Sequence, residues 1–172
     1  SIDPPPKKAE EDKTPVIFTI GPMLTMAMMS MTMGYNSLMG VIEGTTDFPI
    51  AFETLNTEHP RYNMSAHWHQ EIELIRILEG EFPILLNNNL YNLKKGDCVF
   101  INPETVHQGE PKNCTYECIV FYAEFLYSTI FDTHSFIKNI IDHELLITEY
   151  FPYDNKKINI SLNKVFDSFL QN

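Results

Sequence analysis

From about Asp47 to Leu126 the chain is punctuated: short runs of aliphatic, β-branched and aromatic residues alternate with turn-forming clusters, and that spacing leaves few folds open. The runs Ala51 to Leu55, Met64 to Leu78, Glu81 to Leu86, Asn89 to Leu93, Cys98 to Ile101 and Tyr116 to Phe125 read as strands. Glu79-Gly80, Asn87 to Asn89, Lys95-Gly96-Asp97 and Asn102-Pro103 supply the turn chemistry between them. Short strands at this spacing bury one face each, and they close on themselves as an antiparallel barrel or sandwich. The expected class is therefore mainly β, with the barrel occupying residues 47–126.

The flanks are different in kind. Residues 1–13 are Pro-rich and charged, and a segment like this cannot bury enough apolar surface to offset its ordering entropy, so it reads as a flexible arm. Residues 14–44 read as an apolar helix, with no charged side chain from Thr14 to Ile42. A helix of about 20 residues crosses a hydrocarbon layer of about 30 Å, so residues 15–42 are long enough for membrane contact or a tether. If the segment inserts, Lys7, Lys8 and Lys13 before it favour a cytoplasmic N-terminus; the barrel itself is expected in the cytoplasm, with a membrane tether as the further reading. Pro22, Gly21, Gly34 and Gly40 dilute the hydropathy and favour instead a Met-rich helix packed on a partner. Beyond the barrel, 127–172 shows the helical period in Phe131 to Leu146 and Ile158 to Leu170, and the stripe Ile160, Leu162, Val165, Phe166 and Phe169 must be covered by the barrel or by a partner.

Charge and cysteine content narrow the function. Twelve basic against twenty-three acidic residues give a net charge of -11, with Arg61 and Arg76 the two guanidinium groups. Such a surface repels phosphate, so these 172 residues are by themselves a poor nucleic-acid binder. Cys98, Cys114 and Cys118 are an odd count without C-x-x-C spacing and read as buried, reduced residues.

The stretch His67-Trp68-His69-Gln70-Glu71-Ile72-Glu73 carries the chemistry. In an extended segment, alternate residues share a face, which puts His67, His69 and Glu73 on one side, with Glu71 on the same parity. His107, after a hairpin, can join them if its strand pairs across the barrel. Neutral imidazoles and a carboxylate suit a divalent transition metal such as Fe, Mn, Ni or Zn, and they equally suit an organic ligand held by hydrogen bonds. Tyr91 is a further candidate for the pocket wall. His59, His134 and His143 lie outside this pattern and read as surface or helix residues.

The pattern H-x-H-x3-E-x6-G, filled by His67, His69, Glu73 and Gly80, resembles the first motif of the cupins, and Gly96, Pro103 and His107 resemble the second. The wording "HWHQEIEL", "LEGEF" and "LKKGDCVFINPETVH" is similar to the N-terminal effector-binding and dimerisation domains of AraC-type bacterial transcription regulators, over residues 47–170. That resemblance implies a jelly-roll-like cupin barrel followed by C-terminal helices that pair in a homodimer. It also implies a sugar or small metabolite as effector, bound by His67, His69, Glu73, His107, Glu71 and Tyr91, no obligatory cofactor, and DNA contact through a helix-turn-helix domain outside these residues. A metal-dependent cupin enzyme, with His67, His69, Glu73 and His107 as ligands, is the alternative. Arg61 stands where the full first motif has a glycine, and His107 follows Pro103 one position early. The N-terminal 45 residues have no counterpart in that family and faintly resemble membrane segments of type VII secretion ATPases.

Overall fold

The computed structural model describes residues 50–128 and 134–170. The arm, the apolar segment and its membrane expectation lie outside these residues. Among the described residues no helix is long and apolar enough to cross a membrane.

Eight strands form one antiparallel system: β1 (Ile50–Leu55), β2 (Met64–His67), β3 (Ile72–Leu86), β4 (Asn89–Lys94), β5 (Cys98–Ile101), β6 (His107–Gly109), β7 (Lys112–Phe121) and β8 (Tyr150–Phe151). A 3-10 helix (Ala123–Ser128), α1 (His134–Ile141) and α2 (Lys156–Leu170) complete the fold. The main path runs β1-β7-β3-β5-β8, with β2 on β6, and β4 and β6 on the far half of β3. The long β3 thus belongs to both walls: Glu73 to Arg76 pair with β5, whereas Glu81 to Leu86 pair with β4.

Period-2 alternation along β3 and β7 sorts the core into two layers. Ile72 and Leu74 of β3, with Ile119 and Phe121 of β7, face the helices and pack with Leu162, Val165, Phe166 and Phe169 of α2. Ile75, Ile77, Cys114 and Tyr116 face the barrel interior with Phe82 and Leu93. Most of the α2 stripe is therefore covered by the sheet of its own chain, and Ile160 is left 57% exposed. Arg76 and Glu117 are a cross-strand pair on the helix-facing side. Arg76 donates through Nε to Glu117 (2.8 Å) and through Nη1 to Asn163 and Asp167 of α2 (2.8 Å each).

Several expected boundaries move. Met64 to Leu78 is not one strand, because Trp68 to Glu71 leave the ladder between β2 and β3. Here His69 makes other bonds: its carbonyl accepts from Glu104 N (2.7 Å), and its Nδ1 lies 3.1 Å from the Glu71 carbonyl. Glu79-Gly80 is not a turn but a bulge within β3, where the register to β7 shifts. Gly80 has φ +78°, and a Cβ there would lie 2.1 Å from the Asn113 carbonyl oxygen, so the close approach of β7 requires glycine. The last barrel strand begins at Lys112 and stops at Phe121, where the 3-10 helix takes over. The helix expected to reach Leu146 ends at Ile141. The short strands β6 and β8 have too few residues for a periodic signal.

Candidate ligand site

Beside a cavity of about 580 Å³ between β1, β7, β3 and the Asn56–Asn63 connection four side chains converge, of which His67, His69 and Glu73 line the cavity and His107 is buried behind them. One ligand atom from each of His67, His69, Glu73 and His107 lies within 4.8 Å of the others. Each comes from a different part of the fold. His67 ends β2 and is paired in register with His107 of β6. His69 sits in the break, and Glu73 projects inward from β3. His67 and His107 rings are 4.1 Å apart, and His69 Nε2 and His107 Nε2 lie 3.2 and 3.4 Å from Glu73 Oε2. The expected convergence holds, although not along a single extended strand.

The three imidazoles are oriented the same way. Nδ1 of His67 faces the Ser65 carbonyl at 2.6 Å, that of His69 faces Glu71 O at 3.1 Å, and that of His107 faces Thr105 O at 2.8 Å. A carbonyl only accepts, so each Nδ1 carries its proton and each neutral ring turns an Nε2 lone pair toward Glu73. Acceptors then face an acceptor, and the cluster needs a proton or a cation at its centre. His107 Nε2 is fully buried without a hydrogen bond of its own.

The electrostatics follow from this packing. Burial opposes ionisation of Glu73, but the imidazoles of His107 and His69 beside its carboxyl outweigh it and hold the carboxyl far below the usual range. Burial likewise disfavours protonated His69, yet its bond to Glu73, with the charges of Glu73 and Glu71, raises its value on balance. His67 is lowered, chiefly by burial. Three imidazoles and one carboxylate are a donor set that could take hydrogen bonds from a ligand or coordinate a divalent transition metal.

Glu71 lines the cavity, with Oε2 at 3.6 Å from His69 Nδ1. Tyr91 does not: its ring packs beside Tyr150 against the cluster of Phe82, Ile84 and Leu93, and its hydroxyl donates to Glu149 at 2.9 Å. Aromatic character alone could not distinguish wall from pocket. The motif reading passed over Arg61 and Glu53, which pair at the cavity and line it, and Tyr116 and Cys118 on β7. Arg61 was visible as the residue in place of the motif glycine; Cys118 was visible only once the phase of β7 was known.

An antiparallel sheet folded around a buried imidazole–carboxylate cluster beside a small cavity defines a cupin-type ligand-binding domain. The family described as AraC-like ligand binding domain matches residues 49–136, and the chain belongs to that family. It is 30% identical over 105 residues to the uncharacterized HTH-type transcriptional regulator YdeC of Bacillus subtilis, covering 56% of this chain and 36% of that protein. The chain thus spans little more than a third of that relative's length. Among solved structures it is similar to an RmlC-like cupin from Shewanella frigidimarina (TM-score 0.38, 18% identity, 42% of this chain and 65% of that one). It is likewise similar to a cupin 2 domain-containing protein from Halorhodospira halophila (TM-score 0.38, 21% identity, 49% and 60% covered).

Proposed function

We propose that this domain senses a neutral, hydroxyl-bearing small metabolite, a sugar or a relative of one, for an AraC-type transcription regulator. The observation that carries the reading is the cavity of about 580 Å³ lined by His67, His69 and Glu73, whose cluster the buried His107 completes. Its volume lies within the range of small-molecule pockets, about 300 to 1,000 Å³. Its charge favours hydrogen-bond donors over anions: Glu53, Glu71 and Glu73 line it, and the cavity's guanidinium, Arg61, is already paired with Glu53. Homodimerisation through α2, whose outer face exposes Ile160 and Leu170, and DNA contact through a helix-turn-helix domain outside these residues belong to the same proposal. The test is a thermal-shift screen of sugars and neutral metabolites. A ligand at about 100 times its Kd adds about 2.7 kcal/mol, which raises Tm by about 5 to 10 °C in a chain of this size. No shift across the panel, or shifts confined to carboxylates and phosphates, overturns the reading.

The common orientation of the three rings favours a second reading, in which His67, His69, Glu73 and His107 hold a divalent transition metal. A metal bound there would act as a Lewis acid toward a ligand oxygen, in a sensor or in a metal-dependent cupin enzyme. The residues themselves would position that oxygen beside Glu71. Elemental analysis of chelator-free protein tests this. About one equivalent lost in His67→Ala supports it, and less than about a tenth of an equivalent in the parent protein removes it.

A further inference from the structure

Glu104 and His143 are far apart in sequence and belong to neither the cavity nor the core, yet both adopt φ of 59°, a left-handed conformation that non-glycine residues seldom take. Glu104 lies in the turn Asn102–Val106, between β5 and β6. That turn is attached to the histidine cluster at two points: Glu104 N donates to the His69 carbonyl at 2.7 Å, and the Thr105 carbonyl accepts from His107 Nδ1 at 2.8 Å. On its other side it grips the connection after α1. Asn102 Nδ2 donates to Ile147 O and Ile147 N donates to Asn102 Oδ1, both at 2.8 Å.

His143 occupies the position where glycine normally ends a helix. Its N–H bonds to Ile140 O (3.2 Å), and the next N–H, of Glu144, bonds to Asn139 O (2.8 Å), the paired pattern of a Schellman cap. Glycine would adopt this conformation without strain, whereas histidine costs about 1 kcal/mol or more. What histidine adds is a side chain, and its Nε2 lies 3.0 Å from Glu104 Oε2, both side chains being largely shielded from water. Two residues in the left-handed region thus hold one contact, and that contact joins the turn beside the histidine cluster to the end of α1.

We propose that the Asn102–Val106 turn, through the Glu104–His143 contact, couples the state of the histidine cluster to the segment His143–Glu149 that leads from α1 to β8 and α2. The inference rests on the cavity being a ligand site, and it gives that site a route to the C-terminal helices.

The test is amide hydrogen exchange on the full chain. His107→Gln perturbs the cluster, and exchange is compared across 143–149 in the parent and in His143→Gly, which keeps the cap but removes the contact. The expected result is that His107→Gln raises exchange across 143–149 by about threefold or more in the parent background and leaves it unchanged in His143→Gly. If His107→Gln does not fold, Asn87→Gly takes its place, since it removes the Asn87 Oδ1 bond from Val106 N, suits the left-handed φ of 50° at that position and loosens the same turn. Exchange at 143–149 that ignores the cluster, or responds equally in both backgrounds, overturns the proposal. Zn²⁺ added as a probe reads the cavity separately: absent protection at 67–73 counts against metal at the cluster, while the variant comparison decides the coupling.

Discussion

Replacing Arg76 by alanine removes the charge that holds β3, β7 and α2 together. Glu117 is 1% exposed and loses bonds to both Nε (2.8 Å) and Nη2 (2.7 Å), leaving a buried carboxylate without compensation. Breaking a buried pair in this way costs about 3 to 5 kcal/mol. The other contacts add little. Asp167 is 54% exposed at its side chain, so its loss is largely screened by water. Asn163 keeps its own donations to Asn159. The guanidinium also leaves the face of Phe166, 4.8 Å away, a contact of about 1 kcal/mol. We expect a loss of about 4 kcal/mol at neutral pH, measured by urea unfolding, a large part of the stability of an ordinary domain. The pH dependence identifies the cause. Burial raises the Glu117 carboxyl above its ordinary 4.5 even with Arg76 beside it. A carboxyl that is raised on folding binds a proton more readily in the native state, so its penalty is full above the folded value and fades as pH falls toward the unfolded one. Without Arg76 the upward push grows, so the deficit shrinks between pH 7 and about 5. In Arg76→Met/Glu117→Leu the charge is gone, and most of the stability returns. A loss below about 1 kcal/mol, or a deficit that widens in acid, would refute the reasoning.

Two further outcomes test the packing. A Cβ at Gly109 would lie 2.0 Å from Phe82 Cε2, so Gly109→Ala must displace the central aromatic of the barrel and should lower Tm by at least about 4 °C in a melting experiment. Burial pushes the Cys98 thiol up to about 12 and the Cys114 thiol up to about 11, and holds Cys118 well above its ordinary range. The native chain should therefore leave all three thiols unreacted toward a thiol reagent at pH 8 and release three on unfolding; fast labelling of Cys98 or Cys114 in the native protein would show that the barrel opens.

The strand runs could be read from the sequence because one buried face imposes a period of two, and β1, β4 and β5 fall within a residue of where that period places them. The helical stripe of α2 was legible for the same reason, at a period of 3.6. Its covering was not: whether Phe166 and Phe169 meet a partner or the chain's own sheet depends on which way the 3-10 helix and α1 turn the chain. The stacking of Phe52 on Phe169 at 4.9 Å records the answer.

The chemistry of the site was legible in the residues themselves, because imidazole and carboxylate at His67, His69, Glu73 and His107 have few uses inside a small barrel. Its geometry is a tertiary matter. A break at Trp68 to Glu71, a register that sets His67 opposite His107, and backbone carbonyls at Ser65, Glu71 and Thr105 aim the three rings at one carboxylate. Tyr91 and His143 show the same division. Nothing local directs Tyr91 away from the cavity or brings His143 to Glu104; both follow from contacts between segments distant in sequence, where position is decided by the packing of the whole sheet and not by the preferences of any one stretch of chain.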